Sequence, residues 1–513
     1  MPSSRIERAA PFLLGAGTFV LCVVMFSHWP TEWDSVQLTL GVDRFDIREG
    51  SPHPPGYWLY VAAGRVVRAL TPLDAHRSLQ LLSALAASAT VVLVYLVGRQ
   101  ARNRWLGVTA AAVVATSPFL LFYGATAASY SFDALLSVSL LLLALRASPG
   151  SRHAVYAAGL LGLGSGLRPS AVIALAPIVL WVFFKSVRSV GQFAAAVGAG
   201  VVGLALWMVP MFLEQPGGAG TYIRFSRAFY ANGFRVNSFT RYNAAHAAAY
   251  TVAAVLPVVP IGVLGLAAWR RRRGAEPAVL LAVSAVFAFG FLALGYFGKA
   301  GYVLSYLPAV VLLALLPLAS SGRVLRVAAG VLVAVVCVAQ LQRFVSAEGV
   351  MPKRFNNDGT AWFTETRYGA PYPLTHESIR LTDKDTDALA SIEQSFSPYR
   401  DVLVFTGGNG GHRFRHACYS MPQFRIHYLR EGMDFYRCED GRMLTEADTV
   451  IEVPPGGRAV YVFDSEPAEV AGQPIARETL ASGRTVWVTS GEVVLYGPVV
   501  REAPVPPFRK HLP

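Results

Sequence analysis

Charge is what this sequence has least of. Only 15% of its 513 residues are Asp, Glu, Lys or Arg, against about 25% in an average soluble domain. Hydrophobic residues make up 53% and the mean hydropathy is +0.42, so much of the chain is built to meet lipid rather than water. Cysteine is also scarce, with four in all. There is no CxxC pair and no cluster of His and Cys to suggest a zinc site, and no dedicated ligand cluster for a metal or cofactor, so none is expected. Cys22 and Cys337 fall in apolar runs and read as inert thiols. Cys418 and Cys438 lie in the C-terminal part, where an oxidising compartment would allow a disulfide between them. No GxxxxGK[ST] pattern occurs. The run Gly407-Gly408-Asn409-Gly410-Gly411 lacks the lysine of a phosphate loop and reads as a flexible turn. No internal repeat of fixed period and no low-complexity linker is present.

The net charge of +13 is almost all arginine, on the Ala- and Val-rich background of a GC-rich bacterial genome. It does not form a basic stripe interleaved with aromatics, which argues against nucleic acid as a partner. The basic residues gather instead in short loops between apolar runs, the pattern that sets membrane orientation.

Those apolar runs approach the roughly 20 residues that a helix needs to cross a bilayer. They lie near 11–28, 79–97, 106–122, 131–147, 154–167, 170–184, 192–212, 245–268, 277–297, 303–319 and 325–343, giving about eleven spans. The first run has no small-residue cleavage site and reads as an anchor. The pair at 154–184 is split by Arg168-Pro169, and each half is short. Arg5 and Arg8, then Arg99, Arg102 and Arg104, then Arg146 and Arg152, Lys185 and Arg188, Arg270 to Arg273, and Arg323 and Arg326 mark alternate turns. By the positive-inside rule these are cytoplasmic, as is the N-terminus. The loops at 29–78, 123–130, 213–244 and 298–302 then face out, together with everything from about residue 344. The expected fold is mostly α: a polytopic transmembrane helical bundle over 1–343 and a small extracytoplasmic α/β domain over 344–513, in a bacterial plasma membrane. Strands are expected at Val402 to Phe405, Ala459 to Phe463 and Thr485 to Val488.

Residues 29–78 hold the most chemistry. Trp29-Pro30-Thr31-Glu32-Trp33-Asp34-Ser35 leads off the first span, and Ser51-Pro52-His53-Pro54-Pro55-Gly56-Tyr57 is a stiff turn. An amphipathic stretch with Arg65 and Arg68 on its polar side follows from Trp58 to Leu70, as in an interfacial helix. Glu32 and Asp34 sit at the membrane surface, where apolar neighbours could raise their proton affinity and make a base. The alternative is that Asp34 and Ser35 cap the next helix while Glu32 is solvated. His53 either turns a structural corner or lines a site that holds hydroxyls or phosphate. Cations stand where few are expected: Arg224, Arg227, Arg235 and Arg241 among aromatics, Arg168 in a tight turn, and Lys299 in Gly298-Lys299-Ala300-Gly301-Tyr302. They suit a lipid phosphate or ordinary anionic headgroups. Asp133, just inside the fourth span, is either functional or the partner of Arg168. Arg413 and Arg415 have no role that spacing assigns.

Taken together, Glu32-Trp33-Asp34-Ser35, Arg44-Phe45-Asp46 and His53-Pro54-Pro55-Gly56-Tyr57 resemble the first outer loop of GT-C-type membrane glycosyltransferases. The likeness is to the bacterial branch akin to protein O-mannosyltransferases. It extends to Gly166-Leu167-Arg168-Pro169-Ser170 and to Gly301-Tyr302-Val303-Leu304, covers most of the membrane half, and is weak in the C-terminal domain. The resemblance implies transfer of a monosaccharide from a polyprenyl-phosphate donor to a glycan, lipid or protein acceptor hydroxyl on the outer face, with inversion and without metal. It implies Asp34 as base, with Glu32 second, and a donor site that includes Arg168, Lys299 and Tyr302, beside His53, Tyr57 and Arg241. The mannosyltransferases proper carry two adjacent acids where this chain has Glu-Trp-Asp. Two rivals stand beside the enzyme. One is a transporter or flippase of lipid-linked sugars, which would favour inverted repeats and midplane helix breaks. The other is a membrane-anchored binding or assembly protein that works through its C-terminal domain.

Overall fold

The computed structural model describes residues 5–237, 241–269, 275–295, 299–348, 374–406, 410–429, 436–444, 453–462, 476–480 and 485–490. Among the described residues the membrane half is built of helices and the turns between them. Its elements are α1 (Arg5–Val24), α2 (Trp33–Asp43), α3 (Trp58–Leu70), α4 (Ala75–Ala101), α5 (Arg104–Ala115), α6 (Pro118–Ala125), α7 (Tyr130–Arg146), α8 (His153–Gly164), the short α9 (Ala171–Ala174) and α10 (Ala176–Ser186). They continue as α11 (Val190–Glu214), α12 (Gly218–Asn237), α13 (Arg241–Val255), α14 (Val259–Trp269), α15 (Ala275–Leu294), α16 (Leu307–Leu315) and α17 (Arg323–Ser346).

Five helical stretches are long and apolar enough to cross a membrane, Ala75–Ala101, Val190–Glu214, Asn243–Leu266, Glu276–Leu294 and Arg323–Ser346, and the bent pair α5–α6 makes a sixth if taken as one span. Four more apolar helices are shorter: Ala9–Val24, His153–Gly164, Ala176–Ser186 and Leu307–Ser320. The count of about eleven therefore exceeds what helix length and composition support among the described residues. The apolar runs near 11–28, 154–167, 170–184 and 303–319 fold into these shorter helices. The stretch 213–244, expected as a loop, contains the whole of α12.

Two local rules shape the bundle. The 58° bend between α5 and α6 sits at Ser117-Pro118, where the residue before proline is driven out of the helical region (φ −63°, ψ 125°). Helices α8 and α11 pack through glycines. A methyl on Gly162 would strike the Gly200 carbonyl and one on Gly203 would strike the Gly159 carbonyl, which is the small-residue contact that lets membrane helices approach closely. The main core gathers Val91, Val94, Leu120, Leu140 and Leu312. A separate cluster of Leu38, Val42, Phe45, Ile47, Tyr60, Trp207 and Met211 fastens α2 and α3 onto α11.

Asp46 completes that attachment. It is fully buried, takes the Arg48 guanidinium and backbone N–H, and accepts from Gln215 Nε2 at 2.9 Å. Gln215 in turn accepts from the Ile47 N–H. The loop after α2 is thereby tied to the end of α11.

The C-terminal part carries α18 (His376–Ala390), α19 (Gly410–Ser420) and strands β1 (Val402–Thr406), β2 (Arg425–Leu429), β3 (Tyr436–Glu439), β4 (Arg442–Leu444), β5 (Arg458–Val462), β6 (Ala476–Thr479) and β7 (Thr485–Ser490). The sheet order is β4-β3-β2-β1-β5-β7-β6. β1 pairs parallel with β2 and β5, and the outer pairings are antiparallel. Crossover helix α19 links β1 to β2, as a parallel pair requires. It turns Phe414, Ala417, Cys418 and Met421 into the sheet core at helical spacing. Cys418 is disulfide-bonded to Cys438 on β3, the pairing that the sequence allowed.

That bond closes a loop of 20 residues. Replacing both cysteines with alanine is expected to destabilise this domain by about 3 kcal/mol. Faster proteolysis of residues 374–490 relative to the membrane half would show it, and equal rates would exclude it.

Candidate functional site

The site is built around the start of α2. Glu32 is its N-cap, and no side chain there satisfies the first-turn amides. Trp33 opens the helix and Asp34 follows in the first turn, where a carboxylate suits the helix dipole. Opposite stands Lys299, just before the 3-10 turn Ala300–Ser305. Its Nζ lies 2.8 Å from Glu32 Oε2 and 3.1 Å from Asp34 Oδ2. The Tyr123 hydroxyl on α6 donates to Glu32 Oε1 at 3.4 Å. His53 Nε2 is 4.0 Å from Asp34 Oδ1, and its Nδ1 is buried with no hydrogen-bond partner among the described residues.

Burial by itself would raise the Asp34 carboxyl, but Lys299, His53 and Arg168 outweigh it and hold it well below the usual carboxylate range. The raised proton affinity expected of Asp34 is therefore not found: Lys299, distant in sequence, outweighs the effect of burial among apolar neighbours. Burial works against the Lys299 charge, yet Asp34 and Glu32 raise its pKa. Burial pulls the His53 imidazole down. Asp34 opposes the fall while Lys299, Arg415 and Arg168 add to it, leaving His53 at about 4 and neutral near pH 7.

Arg168 forms a second centre beside the first. It is buried in the turn between α8 and α9. Its Nη1 donates to Ser129 Oγ at 3.3 Å, and its Nε lies 3.1 Å from Asp133 Oδ2 on α7, one of the two roles the sequence offered Asp133. Nη2 is buried without a hydrogen-bond partner among the described residues. The guanidinium carbon is 4.0 Å from the Tyr130 ring centre, 4.9 Å from Tyr302 and 5.6 Å from Tyr57, a three-sided aromatic cage. Tyr57 takes part at a left-handed φ of 46°, a conformation that costs a non-glycine residue about 1–3 kcal/mol. Its ring centre stands 5.3 Å from that of His53.

Seven of the eight sequence candidates thus meet: Glu32, Asp34, His53, Tyr57, Arg168, Lys299 and Tyr302. Arg241 begins α13, and its side chain lies outside the described residues. Sequence reasoning missed Tyr123, Tyr130 and Arg415. Tyr130 packs so closely on the turn before Tyr302 that a methyl on Gly301 would overlap its ring, so the backbone can reach this position only as glycine. Arg415 on α19 stacks its guanidinium 3.3 Å from the Trp33 ring centre. Nothing in local sequence links the two. Among the described residues, no group of three or more His, Cys, Asp or Glu side chains is arranged to hold a metal ion.

Residues 47–191 match the family model described as the Protein O-mannosyl-transferase TMEM260 N-terminal domain. Two solved structures of ArnT from Cupriavidus metallidurans are similar over almost the whole molecule. The one bound to undecaprenyl phosphate superposes with a TM-score of 0.58 at 14% identity, covering 95% of this chain and 98% of that one. The apo form gives 0.57 at 14%, covering 93% and 97%. The apo Archaeoglobus fulgidus oligosaccharyltransferase gives 0.46 at 14%, covering 81% of this chain and 64% of that one. No curated protein sequence matches the chain. The chain thus has the fold of the GT-C glycosyltransferases, the likeness that its residues 32–57 suggested.

Lys299→Met tests the ion cluster. Asp34 sits below its unfolded value, so its stabilisation is present above the unfolded pKa and is lost as pH falls through the folded one. Without the lysine, burial is opposed only by His53 and Arg168, so the Asp34 pKa rises and the penalty is greatest at neutral pH. The variant is expected to lose about 3 kcal/mol near pH 7.5 and to recover part of it near pH 5. A melting-temperature deficit of the same size at both pH values would contradict this.

Proposed function

We propose that this chain, built on the fold of the GT-C glycosyltransferases, transfers a monosaccharide from a polyprenyl-phosphate-linked donor to an acceptor hydroxyl, with inversion. The observation that carries this reading is the meeting of two carboxylates with Lys299 and the caged Arg168 in one place. Fixed cations stabilise a departing phosphate, and a carboxylate beside them takes the acceptor's proton. The presence of undecaprenyl phosphate in the ArnT structure of the same fold supports a lipid-linked donor.

In the resting state Asp34 is a poor base, because Lys299 holds its charge. A donor phosphate can change that. As an anion it competes for the ammonium, and as Lys299 turns to it the Asp34 carboxylate loses its strongest partner and gains basicity. Arg168 offers Nη2 to the same phosphate without breaking its contact with Asp133. The acceptor oxygen then bonds to C1 of the sugar and its proton passes to Asp34. The bond from C1 to the phosphate oxygen breaks, its electron pair leaves with the phosphate, and polyprenyl phosphate is released. Glu32 keeps Lys299 within reach throughout, and neutral His53 lines the acceptor side.

The arginine-rich alternate turns support a cytoplasmic N-terminus in a bacterial plasma membrane. The site then opens toward the outer leaflet, where the acceptor glycan, lipid or protein would approach.

Purified protein with radiolabelled polyprenyl-phosphate sugars tests the reading. Asp34→Asn is expected to lower kcat about 10²–10⁴-fold. Arg168→Lys, which loses the planar fork, is expected to raise the donor KM about tenfold. Release of polyprenyl phosphate that survives Asp34→Asn removes Asp34 as base, and no release from any donor returns the case to the transporter or the assembly protein.

A further inference from the structure

The segment that leads into α2 has almost no support from its own neighbourhood. The helix start lacks a side-chain cap, and its first turn is closed locally by the backbone bond from the Val36 N–H to the Glu32 carbonyl. Residues 28–30 are anchored from more than 350 positions away. The Asp383 carboxylate on α18 accepts from the backbone N–H of His28 at 2.9 Å and of Trp29 at 2.8 Å. Asp387, one turn on, accepts from Trp29 Nε1 at 2.7 Å. His416 Nε2 donates to the Pro30 carbonyl at 2.6 Å, and the Tyr419 ring stands edge-on to Trp29 with centres 6.2 Å apart.

Arg415 sits at the centre of this contact. It is buried, and its guanidinium covers the Trp33 ring at 3.3 Å. Trp33 is the residue between the two carboxylates. The periodicity of α19 explains the division of labour: positions 414, 417, 418 and 421 face the sheet core, and 415, 416 and 419 fall on the other side, toward residues 29–33. The disulfide at Cys418 fixes the helix to β3, so the face that carries Arg415 is held rigid.

The geometry points to Arg415 as a positioning residue of the transfer reaction: stacked on Trp33, it locks the first turn of α2 and sets where the carboxylates of Glu32 and Asp34 stand relative to Lys299. The C-terminal domain is then a wall of the site rather than a separate module. This rests on the function proposed above for its kinetic arm and is independent of it for its structural arm.

Both arms use the full-length protein. In the transfer assay, Arg415→Gln is expected to lower kcat about tenfold while the donor KM stays within about threefold, and Arg415→Lys, which keeps a cation over the ring, falls between. In the cycle with Trp33→Ala, the double variant is expected to lose no more than the worse single, because the effect runs through one contact. A purely structural lesion would instead lower the single-turnover amplitude of polyprenyl phosphate release with its rate unchanged and open the Cys418–Cys438 bond to reductant, and that result overturns the proposal. Hydrogen exchange over residues 28–43 reads the clamp without any activity, and Arg415→Gln is expected to speed it about tenfold. Arg415→Gln with kcat and exchange both as in wild type overturns the proposal, as do losses that multiply in the double variant. If wild type transfers from no donor, the transfer reading fails by itself. The exchange result then decides the clamp alone: faster exchange supports it and unchanged exchange overturns it.

Discussion

One ammonium group between two carboxylates organises this molecule. Glu32 and Asp34 flank a single tryptophan at a helix start, where like charges in a partly dry site repel and one would take up a proton. Lys299 prevents that by standing within 3.1 Å of both. Much of the surrounding structure serves its placement. The bend at Ser117-Pro118 swings Tyr123 toward Glu32. The glycine after Ala300 lets the lysine's turn lie flat on Tyr130, and Tyr130 also forms the nearest wall of the Arg168 cage.

Three tiers of contact therefore converge. The apolar cluster under α2 and α3 sets their height on α11. Asp46 and Gln215 fix the loop that presents His53 and Tyr57. The sheet domain covers the start of α2 from the other side. The charged groups contribute little net stability of their own, since burying ions costs about as much as their pairing returns. What they add is a defined geometry, held by elements that are stable for other reasons.

How much of this the sequence discloses depends on range. Local periodicity places the five longest apolar helices and the strands at 402, 459 and 485 within a residue or two. Isolated charges in apolar surroundings flag Arg168, Asp133 and Lys299, because a lone ion there needs a partner. Range is also where legibility ends. Lys299 and Glu32 are 267 positions apart, so the direction of the Asp34 shift could not be read from its apolar neighbours. Arg415 looks like any surface arginine until the sheet domain is folded and docked. The arginines of 218–237 suit an outer loop as well as a helix, so charge alone does not disclose α12.

Gly301 and Tyr130 form an epistatic lock. A side chain at 301 would displace the Tyr130 ring, and a smaller residue at 130 would strip the closest wall from Arg168. Neither position can drift first without harm to a different part of the site. Lineages that descend from this chain should therefore change the two together or leave both alone, a correlated pair with no charge in it that nonetheless records the electrostatics next door.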